Sequence, residues 1–154
     1  MTAVWRVVKN ARIADAFTGE GAALYGGRWN KRGTRVVYAA QTLSLSVLEQ
    51  FIHTGEEGKN IEYAFFKIEM PSGIKIERFN SHKIPSNWRD TPVPEETQEL
   101  GSAWVLKQSS ALLCVPSVIV PVECDFLINP AHADFHKLKI GKPQPFRFDS
   151  RLWK

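Results

Sequence analysis

Apolar and polar positions along this chain follow two periods, and the switches between them divide it into elements. Residues 3–9 (Ala-Val-Trp-Arg-Val-Val-Lys) alternate imperfectly and predict a first strand. Residues 11–17 suit a short helix, residues 18–21 (Thr-Gly-Glu-Gly) a turn, and residues 22–25 lead into a glycine pair. The β-branched and aromatic run at 34–39 predicts a strand. Residues 42–53 then change period, with Leu45, Leu48 and Ile52 at helical spacing and Leu43, Val47 and Phe51 beside them. So broad an apolar face predicts a helix packed on more than one side. Thr42 or Ser44 would cap its start and Gly55 would end it.

The second half reads in the same way. Residues 61–68 form a strong strand pattern, Pro71-Ser72-Gly73 a turn, and residues 74–79 a half-buried strand. Pro85, Pro92 and Pro94 make residues 80–96 a loop. Residues 97–109 suit a helix capped by Thr97, with Leu100, Trp104 and Leu106 inward and Gly101 marking close packing. The apolar runs 111–115 and 118–122 read as two buried strands, with Pro116 as a bulge, an edge or a break between them. A further strand ends in Asn129-Pro130, and residues 146–149 alternate as a late strand that closes the sheet. Strands and helices interleave along a chain whose length fits a single domain over 1–154.

Composition narrows the classes. At 44% hydrophobic and 23% charged, the 154-residue chain has the balance of a globular domain able to bury a core. No run suits a signal peptide or approaches the ~18 apolar residues of a membrane span, so a cytoplasmic protein is expected. Cys114 and Cys124 sit in no CxxC pattern and read as buried thiols in a reducing compartment. A formal charge of +4 with scattered basic residues fits a phosphate-bearing small molecule better than a nucleic acid, for which no motif is present. His132, Asp134 and His136 are spaced i, i+2, i+4, but one carboxylate between two loop histidines is too little for a zinc site, and no metal is expected.

Three places carry candidate chemistry. In Gly26-Gly27-Arg28-Trp29-Asn30 the glycines permit close approach of main chain to a ligand, and a guanidinium, an indole and an amide follow at once. The same residues also read as a turn before a strand, with Arg28 in a surface ion pair and Trp29 in the core. Glu49, inside the helix at 42–53, is either a reactive carboxylate or part of a solvated face or of a capping box with Ser46. Ser117, at the interrupted strand, either faces a cleft or bonds its own backbone. His53, one turn after Glu49, reads first as a histidine favoured by the helix dipole.

Gly-Gly-Arg-Trp-Asn at 26–30, Val-Val-Tyr-Ala-Ala at 36–40, Leu-Ser-Leu-Ser-Val-Leu-Glu at 43–49, Gly-Ser-Ala-Trp at 101–104, Val-Pro-Ser at 115–117 and Ile-Asn-Pro at 128–130 with His132 occur in one order. In that order and spacing, over roughly residues 5–150, the chain resembles the RES domain family. The resemblance implies a fold similar to ADP-ribosyltransferases, a mixed α/β core around a nicotinamide-dinucleotide cleft. It also implies the toxin of a toxin–antitoxin pair whose partner is an Xre-type helix-turn-helix protein. The implied activity is degradation of NAD by phosphorolysis or hydrolysis. The alternatives are transfer of ADP-ribose to a protein, or a non-catalytic dinucleotide-binding module that engages the antitoxin. The family's arginine, tyrosine, glutamate and serine fall on Arg28, Tyr38, Glu49 and Ser117, and Arg28, Tyr38, Ser117 and Asn30 would bind the dinucleotide. Arg28 suits a pyrophosphate, Tyr38 a nicotinamide or adenine ring, Glu49 the positive charge of an oxocarbenium-like centre, and Ser117 a ribose hydroxyl or the nicotinamide amide.

Overall fold

The two longest strands, β1 (Thr2–Lys9) and β3 (Tyr63–Met70), pair antiparallel from Thr2 opposite Met70 to Lys9 opposite Tyr63. Around them a computed structural model, which describes residues 2–154, builds one eight-stranded sheet. The remaining strands are β2 (Val37–Ala40), β4 (Ile76–Arg78), β5 (Leu112–Pro116), β6 (Cys124–Ile128), β7 (Lys139–Ile140) and β8 (Gln144–Phe146). The strand order is β4-β5-β6-β2-β1-β3-β7, with β8 also on β3. Only β4 and β5 run parallel, so the sheet is mixed, as the family resemblance implies. Among the described residues no helix is long and apolar enough to cross a membrane.

Both faces of the sheet centre are buried, which is why β5 reads as an unbroken apolar run. Leu112, Cys114, Phe126 and Ile128 enter a core with Val4, Val37 and Ile68 on one face. Leu113, Val115 and Leu127 meet Trp29, Val36 and Trp104 on the other. A third cluster gathers Val7, Tyr63 and Phe148 beneath Leu43, Val47 and Phe51 of helix α2 (Leu43–Ile52). Helix α3 (Glu95–Lys107) lies over Trp29 through Gly101, where even a Cβ would run into the Trp29 carbonyl.

Several elements differ from expectation for local reasons. Residues 118–122 are a loop, not a strand. The Ser117 hydroxyl accepts the amides of Ile119 and Val120, and Glu123 bonds back to the Val120 carbonyl, so the chain reverses into β6 and leaves Val122 93% exposed. Residues 20–25 form helix α1 (Glu20–Tyr25), because Gly19 takes φ 74° ahead of it and the Thr18 hydroxyl accepts the Glu20 amide. Helix α3 begins two residues before the expected cap, after Pro94 with Glu95 and Glu96 in its first turn, and Thr97 is buried instead. Thr42 does cap α2, accepting the Leu45 amide, but that helix packs on one side: Leu48 and Ile52 are exposed. The late strand is β8, ending at Phe146. Phe148 leaves the ladder to pack edge-on against Tyr63 and Trp153.

Candidate active site

The site forms where the sheet loosens. β1 and β2 share a single register pair, Trp5 with Ala40. Beside it the Tyr38 carbonyl takes its hydrogen bond from the Arg6 guanidinium (2.8 Å), which also bonds the Ala16 carbonyl at 2.8 Å. Next to this gap opens a cavity of about 760 Å³, lined by residues of β1, α1, the glycine turn, β2, α2, the 118–119 loop and β6. That volume lies in the range of small-molecule sites.

The glycine turn is shaped by three polar groups. Gly27 donates to the Asn30 carbonyl, and a Cβ at Gly27 would lie 2.7 Å from the Tyr38 phenol oxygen, so only glycine allows the approach. The Tyr38 hydroxyl donates to Asn30 Oδ1 (2.6 Å) and accepts the Trp29 amide (3.1 Å). Asn30 Nδ2 bonds the carbonyls of Ala22, Lys31 and Thr34. Asn30 is thus fully buried, its side chain spent on the protein, and it does not line the cavity. Asn30, expected against a ligand, here braces Tyr38. Burial raises the Tyr38 phenol far above its ordinary range, with Arg28 pulling the other way, so Tyr38 is a neutral donor.

Arg28 lines the cavity, its Nη1 bonding the carbonyls of Trp88 (3.0 Å) and Asp90 (2.6 Å). The loop at 80–96 therefore aims this guanidinium, while Trp29 sits in the core against Phe79 and Trp88, at ring centroid distances of 5.9 and 5.8 Å. Trp29 thus follows the core reading. Arg28 does not follow the surface one, having no carboxylate in salt-bridge contact among the described residues. Burial lowers its pKa, opposed by Tyr38, Glu49 and Asp90.

Glu49 lines the same cavity and meets Ser117, whose hydroxyl donates to Oε1 at 2.6 Å. Ser117 follows the backbone reading, its oxygen accepting two loop amides, while its proton goes to Glu49 instead of facing the cavity. Ser117 is fully buried and touches the cavity only through Glu49. The capping box with Ser46 does not form, since the Ser46 hydroxyl accepts the Val7 amide. His53, the C-cap of α2, stands exposed at the cavity edge. The two loop histidines are occupied locally: His132 Nδ1 accepts the Asp134 amide, and His136 Nδ1 meets the Ala133 carbonyl.

Among the cavity residues that escaped the sequence reading are Arg6 and Asp125. Each is a charge set in an apolar strand, which is the signal that could have found them. Burial lowers the Arg6 pKa to about 10, partly offset by Asp15. Both cysteines are free, but only Cys114 is fully buried, and Arg78 donates to its sulfur at 2.8 Å.

The family model for the RES domain matches residues 3–149. "Toxin Res" of Yersinia enterocolitica is 37% identical over 97% of this chain and 98% of its own length. "Prs ADP-ribosylating toxin" of a Sphingobium strain is also 37% identical, over 98% of this chain and 96% of its own. Among solved structures, the M. tuberculosis MbcT-MbcA toxin-antitoxin complex contains a chain similar in fold, with a TM-score of 0.72 at 17% identity, covering 99% of this chain and 86% of that one.

Proposed function

This chain belongs to the RES domain family, and from that premise we propose that it is a toxin enzyme that cleaves the nicotinamide–ribosyl bond of NAD, with phosphate or water as acceptor. The observation that carries the reading is the Glu49 carboxylate, tied to Ser117 and presented to a cavity that Arg28 and Tyr38 also line. Cleavage of that bond builds positive charge on the ribose, as in glycoside hydrolysis, and a fixed carboxylate stabilises it. Arg28, whose Nη1 is held by the 80–96 loop, leaves its other donors for a pyrophosphate. Tyr38 supplies a ring edge and a phenol fixed by Asn30. Ser117 acts through Glu49 and holds its carboxylate in one orientation. No metal enters this scheme. We place the reaction in the cytoplasm and assign residues 1–154 to one RES-type domain.

The same first half-reaction serves a second reading, transfer of ADP-ribose to a protein, and the name of the Sphingobium relative favours it. The two differ in acceptor. Purified protein incubated with labelled NAD, with and without phosphate, separates them. Released nicotinamide with a small ribosyl product supports NAD degradation, and its dependence on phosphate distinguishes phosphorolysis from hydrolysis. Label retained on protein supports transfer. Glu49→Gln and Arg28→Ala are each expected to lower turnover by about 100-fold or more, the scale on which a preorganised electrostatic group acts. Wild-type rates in both folded variants would remove the assigned site.

We also propose that the toxin is held inactive by an antitoxin of the Xre type. Support comes from the toxin names of the relatives and from the structural neighbour, a chain of a toxin-antitoxin complex.

A further inference from the structure

The NAD-cleaving scheme leaves Asp125 without a task, although it lines the cavity beside Glu49. Asp125 sits near the start of β6, paired with Ala40 of β2 and Val115 of β5, so the centre of the sheet holds its backbone rigidly. Its carboxyl lines the same cavity as the Glu49 carboxyl, and the two groups act on each other electrostatically. Its Oδ1 is buried and meets no donor among the described residues. Two neighbouring carboxyl groups are both acceptors when ionised, and only a proton on one of them lets it donate a hydrogen bond to the other.

Neither neighbouring cation forms a salt bridge with the pair, although the charge of Arg28 is felt by Glu49. Arg28 is tied to main-chain carbonyls of the 80–96 loop, and Arg6 to those of Ala16 and Tyr38. The other titratable groups around Asp125 are Cys124 on its own strand, Cys114 on β5 and Tyr38 on β2. Burial raises the Tyr38 phenol and the Cys114 thiol, so both are neutral at neutral pH.

We propose that Asp125 is a positioning residue of the NAD-cleaving site: it keeps a proton and donates it in a hydrogen bond to the Glu49 carboxylate, alongside the bond from Ser117. Glu49 then holds one negative charge in one orientation, fixed from β6 and from the loop that follows β5. The proposal rests on the NAD-cleaving reading. Burial first, and then Glu49, raise the Asp125 carboxyl from its ordinary 3.8 to about 9, so the proton stays in place at neutral pH. At higher pH Asp125 loses that proton, and the hydrogen bond to Glu49 is lost with it.

The test compares NAD turnover by the wild-type chain, Asp125→Ala and Asp125→Asn across pH 5–10. Asp125→Ala is expected to lose roughly tenfold or more in kcat, because Glu49 loses a charge-assisted hydrogen bond. Asp125→Asn keeps a donor at every pH, so it should recover part of that loss. It should also lack the wild-type fall in rate above about pH 9. A wild-type rate in Asp125→Ala, or the same alkaline fall in Asp125→Asn, would overturn the proposal. Thermal melts supply an arm that needs no turnover. A carboxyl whose pKa is raised on folding contributes stability below its unfolded pKa, and that contribution is lost as pH rises toward the folded value. Asp125→Asn should therefore melt progressively higher than wild type as pH goes from 4 to 9, with little difference at pH 4. A constant difference overturns the shared proton even if NAD is consumed. A growing difference without NAD turnover places the fault in the NAD reading and leaves the carboxyl pair intact.

Discussion

Tyr38 shows how one residue serves both fold and site. Its hydroxyl is donor to Asn30 and acceptor for Trp29, and its oxygen fills the space that a Cβ at Gly27 would need. Tyr38→Phe removes one partner from each of two buried groups, so it is expected to cost about 1–3 kcal/mol. Chemical denaturation with an unchanged m-value would measure it, and a loss below a few tenths of a kcal/mol would count against the network. At this scale the sequence named Arg28, Tyr38, Glu49 and Ser117, because their types suit the chemistry and their order matches a family pattern. It did not separate a residue that touches a ligand from one that supports such a residue. Asn30 and Ser117 are polar, part of the motifs that carry the resemblance and fully buried, and only the structure shows that their side chains bond Tyr38 and Glu49.

Among the elements, the contact between α3 and the glycine turn has least tolerance. Gly101→Ala would drive its methyl group into the Trp29 carbonyl, a backbone atom that cannot swing away. The variant should lose about 1–3 kcal/mol through overpacking. Its NAD turnover should fall as well, because Trp29 follows Arg28 directly. An unchanged melting temperature would show that the helix and turn can separate without cost. The spacing of glycine and Trp104 in the sequence already pointed to close packing here, and the structure supplies the partner. Residues 118–122 show the opposite case. Their apolar run has the composition of a strand, but the hydroxyl of Ser117 captures two amides and closes a loop. Composition does not reveal which acceptor an amide will find.

At the scale of the whole molecule, the sheet is held together from β3 to β4 except at the β1–β2 step, where the side chain of Arg6 replaces the ladder beside one register pair. The cavity beside that step is open to solvent in this chain, so the proposed toxin needs an outside means of control. Expression of the chain alone in a bacterial host is expected to stop growth, and co-expression with its antitoxin to restore it. A Glu49→Gln chain should be tolerated without the partner. Growth arrest by Glu49→Gln equal to that by wild type would detach toxicity from the proposed chemistry.

The sequence by itself determined the periods, and with them the class of fold, the main strands, the capped helix α2 and the order of the family's motifs. These depend on neighbours a few residues apart, where spacing and side-chain type decide the outcome. Only the tertiary structure decided which polar groups meet. Ser117 reaches Glu49 across 68 positions of chain, Asp125 lines the same cavity from β6, and Arg28 is held by a loop 60 residues away. Such contacts depend on how a twisted sheet brings β2, β6 and α2 to one cavity, and no local period records them.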